Sequence, residues 1–300
     1  YAPRGKTLTV LRHKRNGGDV LKIAALSDIH SNHYALESVL GHISEKYYDL
    51  YIFLGDYITD CPYPQKTIKL LRDFSRERRC IFIRGNREDY LIDHRNGGEW
   101  EYGSKTGALR YTYENLSDSD LKWLAAMQIS MKVETDGCPP FIICHGSPEK
   151  SSYLFHTDTP DAAAMAARMD CGLMLCGHSH IPFVYRSGGK MIVNPGALGM
   201  PVNGQNRAQF AEVIFDGAWR AEIISVEYDI EKEVEEFAES GLLEKSGFWG
   251  KGIIGTLREG VNYTVMTIRE VERLSAQKGI PVTDEGLWAQ AAENIGVPEI

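Results

Sequence analysis

The sequence predicts an α+β protein in which two mixed β-sheets pack together and helices cover their outer faces. Short apolar runs recur along the chain, and each stops at a Gly or a small polar residue, which is typical of buried strands. Segments with helical spacing lie between the first runs, and this βαβαβ order implies parallel strands. Later pairs of apolar runs are separated by tight turns and predict antiparallel hairpins.

The strand prediction depends on runs in which nearly every position is apolar, as in strands covered on both faces. In chain order these are VLKIAAL, LYIFL, CIFI, PFIIC, GLMLC and KMIV. Two hairpins are predicted at VYRSGGKMIV and FAEVIFDGAWRAEIISVEY, the second with a turn at Asp216-Gly217. A third hairpin, over LTVLRHKRNGGDVLKIAAL, is predicted to open the domain.

Helices are predicted where apolar residues recur at three- and four-residue steps after a capping residue. The first is NHYALESVLGHISEK, with Asn32 as its candidate N-cap, and the second is YPQKTIKLLRDFSRE. The segment 90–130 is also predicted to be helical, and Ser117 has the position of a cap within it.

Composition excludes several classes of protein. A formal net charge of -8 argues against a stable nucleic-acid complex, which would need a basic face. It does not exclude an anionic substrate, because bound metal ions can reverse the local field. No apolar run approaches the ~20 residues of a membrane span, so no membrane association is expected. The six cysteines form no CxxC pair and are predicted to be buried thiols of a cytoplasmic protein.

Residues that can bind metal follow five of the predicted strands, at the ends where open sheets collect ligands. They are Asp28, His30, Asp56, Asn86, His145, His178 and His180. Each alone is explained by an ordinary turn, helix cap or surface loop. Together they offer imidazole, carboxylate and amide groups, which suit divalent ions such as Mn, Fe or Zn. Seven ligands exceed one tetrahedral ion, whereas two ions that share a carboxylate would use all of them.

The stretch LCGHSHIP leaves three alternatives when it is taken alone: a serine nucleophile, a metal clamp or a polar loop. The serine-hydrolase pattern GxSxG fails here, because GHSHI ends in Ile181 where a Gly is required.

The order of these motifs resembles that of the calcineurin-like metallophosphoesterases. The matching motifs are Asp28-x-His30, Gly55-Asp56, Gly85-Asn86, His145-Gly146 and Gly177-His178-x-His180. The stretch NPGALG is similar to one in the compact prokaryotic phosphodiesterase branch of that family. The resemblance covers residues 20–230.

This resemblance implies a four-layer αββα sandwich with two metal sites. Asp28, His30, Asp56 and His180 would hold one ion, while Asp56, Asn86, His145 and His178 would hold the other, so that Asp56 bridges them. The ions expected are Mn, Fe or Zn, with Ni or Co as alternatives. The implied reaction is attack of a metal-bridging hydroxide on a phosphodiester, a phosphomonoester or a nucleotide anhydride. Asp56, Asn86, Arg87 and His145 are the implied catalytic residues, and Ser179 is expected to be dispensable.

Arg87 departs from the family pattern. Many members read GNHE or GNHD, where the His protonates the leaving oxygen, but this chain reads GNRE. Arginine stays protonated and cannot be an ordinary general acid, yet its guanidinium can donate several hydrogen bonds to phosphate. We therefore expect Arg87 to bind substrate or stabilise the transition state, with good leaving groups favoured. His33 is a candidate for the missing acid, or else a surface residue that opens a helix.

The chain is predicted to divide into a metallophosphoesterase domain, 1–240, and a helical C-terminal extension, 241–300. The acidic run DIEKEVEEFAESGLLEK is predicted to form one amphipathic helix at the end of the domain. The run GKGIIG matches GxGxxG without the strand that a dinucleotide site needs, and a flexible loop is predicted there.

Two more helices are predicted in the extension, one over 261–277 and one capped at Thr283 or Asp284. Three roles for the extension stay open: it packs on the domain, covers the site or supports a homo-oligomer. The expected partner is a phosphorylated small molecule or a nucleotide. The alternative to catalysis is a non-catalytic interaction scaffold, since the retromer subunit with this fold has that role.

Overall fold

The computed structural model describes residues 9–13, 20–95, 98–155 and 160–300. The described residues form eleven strands and ten helices. The strands are β1 (Thr9–His13), β2 (Leu21–Leu26), β3 (Leu50–Phe53), β4 (Cys80–Phe82), β5 (Ser130–Thr135), β6 (Cys138–Cys144), β7 (Leu173–Leu175), β8 (Phe183–Ser187), β9 (Lys190–Asn194), β10 (Ala208–Phe215) and β11 (Trp219–Val226). The helices are α1 (His33–Ser44), α2 (Pro64–Glu77), α3 (Asn86–His94), α4 (Gly107–Glu114), α5 (Asp118–Ala125), α6 (Pro160–Arg168), α7 (Ile230–Glu239), α8 (Leu242–Glu259), α9 (Tyr263–Lys278) and α10 (Glu285–Ile295).

The strands form two mixed sheets. The five-stranded sheet has the order β11-β10-β2-β3-β4, in which β2, β3 and β4 pair in parallel and the other pairs are antiparallel. The six-stranded sheet has the order β1-β5-β6-β7-β9-β8, in which β6, β7 and β9 pair in parallel. In each sheet these three parallel strands are consecutive, so their carboxyl ends point toward the same edge of that sheet.

Three apolar clusters hold four layers together. Alternate residues of β2 and β3, such as Ile23 and Ile52, face the second sheet, where they pack against residues such as Phe141. Their neighbours face outward and pack under α1 and α2. On the far side, α6 covers the six-stranded sheet through residues such as Met165. This arrangement confirms the predicted α+β sandwich of four layers.

Most of the predicted local structure is present. The hairpins β8–β9 and β10–β11 are antiparallel, with Asp216-Gly217 in the second turn. The side chain of Asn32 accepts a hydrogen bond from the Ala35 amide and caps α1. Ser117 caps α5 and Asp284 caps α10 in the same way, because each oxygen meets one of the amides that a helix start leaves unpaired.

The hairpin predicted to open the domain is wrong. Strand β1 belongs to the six-stranded sheet and pairs in parallel with β5, whereas β2 belongs to the other sheet. The reason is that β10 and β3 occupy both edges of β2, so no edge is left for β1. The sequence reading also missed β5 (Ser130–Thr135), whose alternation of polar and apolar residues is short.

The predicted loop at GKGIIG is also wrong, since these residues lie within α8. Small residues here allow close packing: a Cβ at Gly255 would lie 3.0 Å from Tyr263 and from Pro298. The acidic run thought to form one helix is divided, because α7 ends at Glu239 and α8 begins at Leu242. The backbone of α8 is itself interrupted at Gly247.

The C-terminal helices pack on the rest of the chain. Helix α8 contacts α4 and α7, and its Ile253 and Leu257 share an apolar cluster with Cys61 and Tyr111. Glu285 of α10 accepts hydrogen bonds from the amide and the hydroxyl of Ser104. The domain boundary at residue 240 stays a prediction. Among the described helices, we found none that is both long and apolar enough to span a membrane.

Candidate metal centre

The seven predicted ligands meet at one edge of the sandwich, just beyond strands from both sheets. They follow the carboxyl ends of β2, β3, β4, β6 and β7: Asp28, His30, Asp56, Asn86, His145, His178 and His180. This edge collects them because the parallel strands of the two packed sheets end on the same side. The structure therefore places all of the predicted ligands in one small volume.

The first group of ligands consists of Asp28, His30 and His180, whose ligand atoms all lie within 4.8 Å of one another. Asp28 Oδ1 is 3.3 Å from His180 Nε2 and 3.8 Å from His30 Nε2. The two imidazole Nε2 atoms are 3.0 Å apart. Asp28 and His30 are buried, so this group is shielded from water on the strand side.

The second group consists of Asp56, His145 and His178, again with ligand atoms within 4.8 Å of one another. Asp56 Oδ2 is 3.2 Å from His145 Nε2. Asn86 adds its amide oxygen, which lies 3.2 Å from the same nitrogen. A carboxylate, an amide oxygen and two imidazoles thus surround a second position.

Asp56 lies where the two groups meet. Its Oδ2 atom is 3.8 Å from His30 Nε2 of the first group as well as close to His145 of the second. Asp28 Oδ1 is likewise 3.8 Å from His145 Nε2. The two groups are therefore neighbours, and the position of Asp56 is compatible with the bridging role predicted for it.

Backbone strain is concentrated at the same residues. Five of the seven have left-handed backbone, with φ values of 56° at Asp28, 51° at His30, 53° at Asp56, 69° at His178 and 58° at His180. Each such residue costs roughly 1–3 kcal/mol, and the surrounding structure must hold it in place. Backbone hydrogen bonds between the loops after β2 and β3 do so, since the Asp28 amide donates to Gly55 O and the His30 amide to Asp56 O.

The GHSH loop is fixed by close packing against the first loop. A Cβ at position 177 would lie 1.9 Å from Ser27 Oγ, so Gly177 is required there. The His178 amide donates to Asp28 Oδ2 at 3.0 Å. The side-chain amide of Asn194 donates to Gly177 O and to Ser179 Oγ. Ser179 thus takes part in holding the loop.

The Nδ1 atom of three histidines is occupied on the side away from the centre. His145 Nδ1 lies 2.7 Å from Leu54 O, and His180 Nδ1 lies 2.7 Å from Met200 O. A carbonyl can only accept, so these Nδ1 atoms carry a proton, and in the neutral imidazoles the Nε2 lone pairs face the centre. His30 Nδ1 is held 2.8 Å from Asp60 Oδ2. Such outer partners orient the imidazoles of metal sites.

These acceptors face one another in a way that fits a cation. Asp28 Oδ1 is buried and, in the described part of the chain, makes no hydrogen bond. It faces the Nε2 atoms of His30 and His180, which present lone pairs when these imidazoles are neutral. Buried acceptors in such contact are stabilised by a positive charge between them. The residues present therefore fit divalent ions with oxygen and nitrogen ligands.

The electrostatics of the metal-free centre lead to the same conclusion. Burial disfavours the charged histidines, but neighbouring carboxylates outweigh it and raise the pKa of His30 to about 9 and that of His145 to about 10. Burial likewise opposes the charge of Asp56, yet His145 lowers its pKa to about 2. Without metal, the centre therefore takes up protons to balance its carboxylates.

Glu88 ties two of the loops together from beneath. Its carboxylate accepts hydrogen bonds of 2.8 Å from the amides of Gly85, Asp56 and Tyr57. Burial and the nearby Asp56 carboxylate raise the pKa of Glu88 to about 7. Glu88 therefore fixes the loops after β3 and β4 relative to each other, because its carboxylate accepts hydrogen bonds from both.

Arg87 lies at the rim of the centre. Its backbone amide donates to Asp56 Oδ1 at 2.8 Å, and a terminal guanidinium nitrogen lies 3.1 Å from Asp60 Oδ2. The guanidinium also lies over the ring of Trp249, 5.8 Å from its centre. About a fifth of the side chain is exposed (19 %). Arg87 is thus held beside the centre with donors left for a ligand.

Two residues of the site were missed by the sequence reading. Asp60 is buried and accepts hydrogen bonds from Thr59 Oγ1 and Trp249 Nε1 while it holds His30 and Arg87. Trp249 belongs to α8, far along the chain. Asp60 stands six residues after the end of LYIFL and belongs to no motif, so only the fold reveals this network.

His33 does not lie with the seven predicted ligands. It is buried, which makes the surface reading wrong, and its imidazole faces Glu233 and Glu236 of α7. Burial and the Lys66 ammonium lower the pKa of His33 to about 4. It is therefore neutral at pH 7 and has no proton to give to a leaving group at that pH.

Comparison with known proteins identifies the family. A model of the calcineurin-like phosphoesterase superfamily domain matches residues 21–216, a span that begins at β2 and ends in the β10–β11 turn. The chain belongs to this superfamily. Membership supports metal-dependent hydrolysis of a phosphoester as the class of activity.

Relatives of this phosphoesterase cover most of its length. An uncharacterized protein of Methanocaldococcus jannaschii is 30% identical over 246 residues, which are 75% of this chain and 95% of that protein. A metallophosphoesterase structure from Sphaerobacter thermophilus covers 80% of this chain and 99% of its own, with a TM-score of 0.64 and 26% identity. A hypothetical protein from Pyrococcus horikoshii has the same fold, with a TM-score of 0.69, 22% identity and coverage of 80% and 98%.

Proposed function

We propose that this chain hydrolyses a phosphate ester or a nucleotide phosphoanhydride with two divalent metal ions. The single observation that carries the proposal is the pair of ligand groups that meet at Asp56, each with carboxylate and imidazole groups directed inward. Asp28, His30 and His180 would hold one ion. Asn86, His145 and His178 would hold the other, and Asp56 would contact both. Mn, Fe or Zn suits these ligands best, and Ni or Co would also fit.

When bound, such ions lower the pKa of a bound water and neutralise charge on the phosphoryl oxygens. The protein's own residues supply orientation. Leu54 O, Met200 O and Asp60 hold the imidazoles that face the ions. A protein nucleophile is not needed, and Ser179 Oγ, which accepts from Asn194, serves the loop instead.

Arg87 has the role of a substrate-binding residue in this proposal. Its guanidinium is fixed at the rim by Asp60 and Trp249, so little rotamer freedom is lost when it grips a phosphoryl oxygen. Arg87 stands where many family members have a histidine that donates a proton to the leaving group. His33 faces Glu233 and is neutral at pH 7, so it cannot replace that histidine. The leaving group would therefore take its proton from water. Substrates with good leaving groups, such as anhydrides and activated diesters, would then be favoured.

The test is turnover of the metal-free chain on a panel of phosphomonoesters, phosphodiesters and anhydrides, with Mn, Fe, Co, Ni and Zn each added back. We expect metal-dependent turnover, fastest on substrates whose leaving groups have low pKa values. An absence of turnover on every substrate while two ions are bound would replace this proposal with the non-catalytic scaffold. The cytoplasmic location, the absence of a nucleic-acid complex and homo-oligomerisation through the extension stay predictions.

A further inference from the structure

A third cluster of potential ligands lies between helices α1, α2 and α7. His33 opens α1, whereas Glu233 and Glu236 project from successive turns of α7. All three residues are buried, and their ligand atoms lie within 4.8 Å of one another. His33 Nδ1 is 3.6 Å from Glu233 Oε2, and His33 Nε2 is 3.5 Å from Glu236 Oε2. The cluster shares no residue with the seven ligands of the metal centre.

The cluster contains buried polar atoms that lack hydrogen bonds. Glu233 is fully buried, and among the described residues no donor makes a hydrogen bond of ordinary geometry to either of its carboxylate oxygens, although the Tyr34 amide acts on this carboxylate. Glu236 Oε2 and His33 Nδ1 are unsatisfied in the same way. A buried carboxylate without a compensating group is costly, so four such atoms directed toward one another indicate a missing positive charge.

Lys66 compensates this charge only in part. Its ammonium is 2.6 Å from Glu236 Oε1 and 3.5 Å from His33 Nε2, and its side chain is 43 % exposed. Tyr34 donates to the same Glu236 oxygen. The hydrogen bonds that Lys66 and Tyr34 make to a carboxylate both go to Glu236. Burial and the neighbouring Glu236 raise the pKa of Glu233 well above its usual range, and the Tyr34 amide and Lys66 oppose this only partly.

A protonated Glu233 does not resolve the cluster well. Its proton would need a close acceptor, but the His33 nitrogen that faces it is 3.6 Å away, beyond the ~3.2 Å limit of an ordinary hydrogen bond. An ion fits the spacing better. Ligand atoms about 2.1 Å from a tetrahedral ion lie about 3.4 Å apart, and an imidazole offers one of its two nitrogens to one ion. The separation of 3.6 Å between His33 Nδ1 and Glu233 Oε2 is close to that value, and one ligand atom from each of the three residues lies within 4.8 Å of the others.

We propose that His33, Glu233 and Glu236 bind a divalent transition-metal cation that fastens α7 to α1. Two carboxylates and one neutral imidazole suit zinc or cobalt, and water would complete the coordination. Lys66 lies at the exposed side of the cluster and is long enough to withdraw into solvent when an ion enters. The site is structural, and it is independent of the function proposed above because it shares no ligand with the metal centre.

The test is the number of zinc ions that the full-length chain retains after equilibrium dialysis, measured by elemental analysis. We expect Glu233→Gln, which removes one charge with little change in shape, to retain one zinc ion fewer than the wild type, whatever number the metal centre holds. Glu235→Gln is the matched control, since Glu235 is on the same helix but exposed, and it should retain as many ions as the wild type. Equal zinc content in Glu233→Gln and the wild type would overturn the proposal.

Lys66→Met tests whether a bound ion or the Lys66 ammonium compensates the negative charge of the cluster. If the cluster binds zinc, removal of the competing charge should tighten the third site by at least tenfold, and zinc should raise the Tm of this variant more than that of the wild type. If Lys66 is instead the only cation of the cluster, Lys66→Met should lower the Tm and zinc should not restore it. A lowered Tm that zinc does not restore would contradict the proposed metal site, even if the variant folds.

Discussion

At the scale of single residues, Arg87 distinguishes this chain from relatives that carry a histidine in its place. An arginine cannot exchange a proton at neutral pH, but it presents fixed donors to a phosphoryl group. The contacts with Asp60 and Trp249 direct its guanidinium along the rim of the centre. The substitution replaces a group that could donate a proton with one that donates only hydrogen bonds, and it removes none of the seven candidate metal ligands.

We expect Arg87→Ala to lower kcat/KM on a preferred substrate by at least tenfold, because a charged hydrogen bond of about 1.5–3 kcal/mol to the phosphoryl group is lost. Metal content should stay unchanged, since no ligand is removed. Arg87→His should instead make the rate less dependent on the pKa of the leaving group. A kcat/KM within threefold of wild type for Arg87→Ala would remove the role assigned to this residue.

The gathering of the candidate metal ligands at one edge of the sandwich was predictable from the sequence, whereas the residues that orient them were not. Asp28, His145 and their partners follow apolar runs, and a run of that kind reports where a strand ends. Asp60 follows no run, and Leu54 O and Met200 O act through the backbone, which leaves no mark on residue type. Outer contacts of this kind depend on how loops from different strands meet.

At the scale of elements, helix α8 supports the metal centre although it lies outside residues 20–230, which contain the family motifs. Its Trp249 donates to Asp60 Oδ1 at 2.9 Å, and Asp60 in turn holds His30 and Arg87. Asp60 carries a pKa well below its usual range, because Arg87 and His30 outweigh its burial. The helix therefore completes the set of donors around a buried carboxylate.

We expect Trp249→Phe to lower kcat/KM by about three- to tenfold, since one donor to Asp60 is lost and Arg87 gains freedom. Its effect should be non-additive with that of Arg87→Ala in a double-mutant cycle, while metal content is retained. Trp288→Phe is the matched control, because that indole donates to Val282 O within the extension. Additive effects, or equal loss in both Trp variants, would show that Trp249 has no positioning role.

Helices and strands were predictable where local sequence signals mark their ends. They were not predictable where tertiary packing determines the local structure. Asn32, Ser117 and Asp284 each mark a helix start through a local hydrogen bond. GKGIIG was mistaken for a loop because glycine has a low helix propensity, yet close contact at Gly255 requires a small residue. The partner of β1 depends on which sheet edge is free, and local sequence contains no such information.

At the scale of the whole molecule, the charges of the centre link stability to pH and to metal. In the metal-free chain, His30 and His145 have pKa values of about 9 and 10, above the ~6.5 of an unfolded histidine. The stability that their protons contribute is fully present below pH ~6.5 and is lost as the pH rises through these values. Asp56, with a pKa of about 2, contributes above pH ~3.9 and loses this as the pH falls.

We therefore expect the Tm of the metal-free chain to fall as the pH rises from 6.5 to 8.5. Ions compete with the same protons, so the increase in Tm caused by added Mn²⁺ should grow over that interval. Differential scanning fluorimetry at four pH values, with and without Mn²⁺, measures both trends. A metal-induced increase that shrinks as the pH rises would contradict the protonation states described for His30 and His145.

In the proposed function, two metal ions share the Asp56 carboxylate, and hydrolysis depends on both ions. The most direct measurement compares Asp56→Asn with wild type for bound Mn²⁺ and for phosphoesterase rate in the same samples. We predict that Asp56→Asn loses both ions of the centre and lowers the rate by more than the ~100-fold that loss of an outer ligand contact costs. Ser179→Ala should keep its ions and a rate within about threefold, since Ser179 Oγ makes hydrogen bonds within the loop, accepting from Asn194 and the Ile181 amide and donating to Ile181 O. An Asp56→Asn protein that keeps both ions and its turnover would contradict the account.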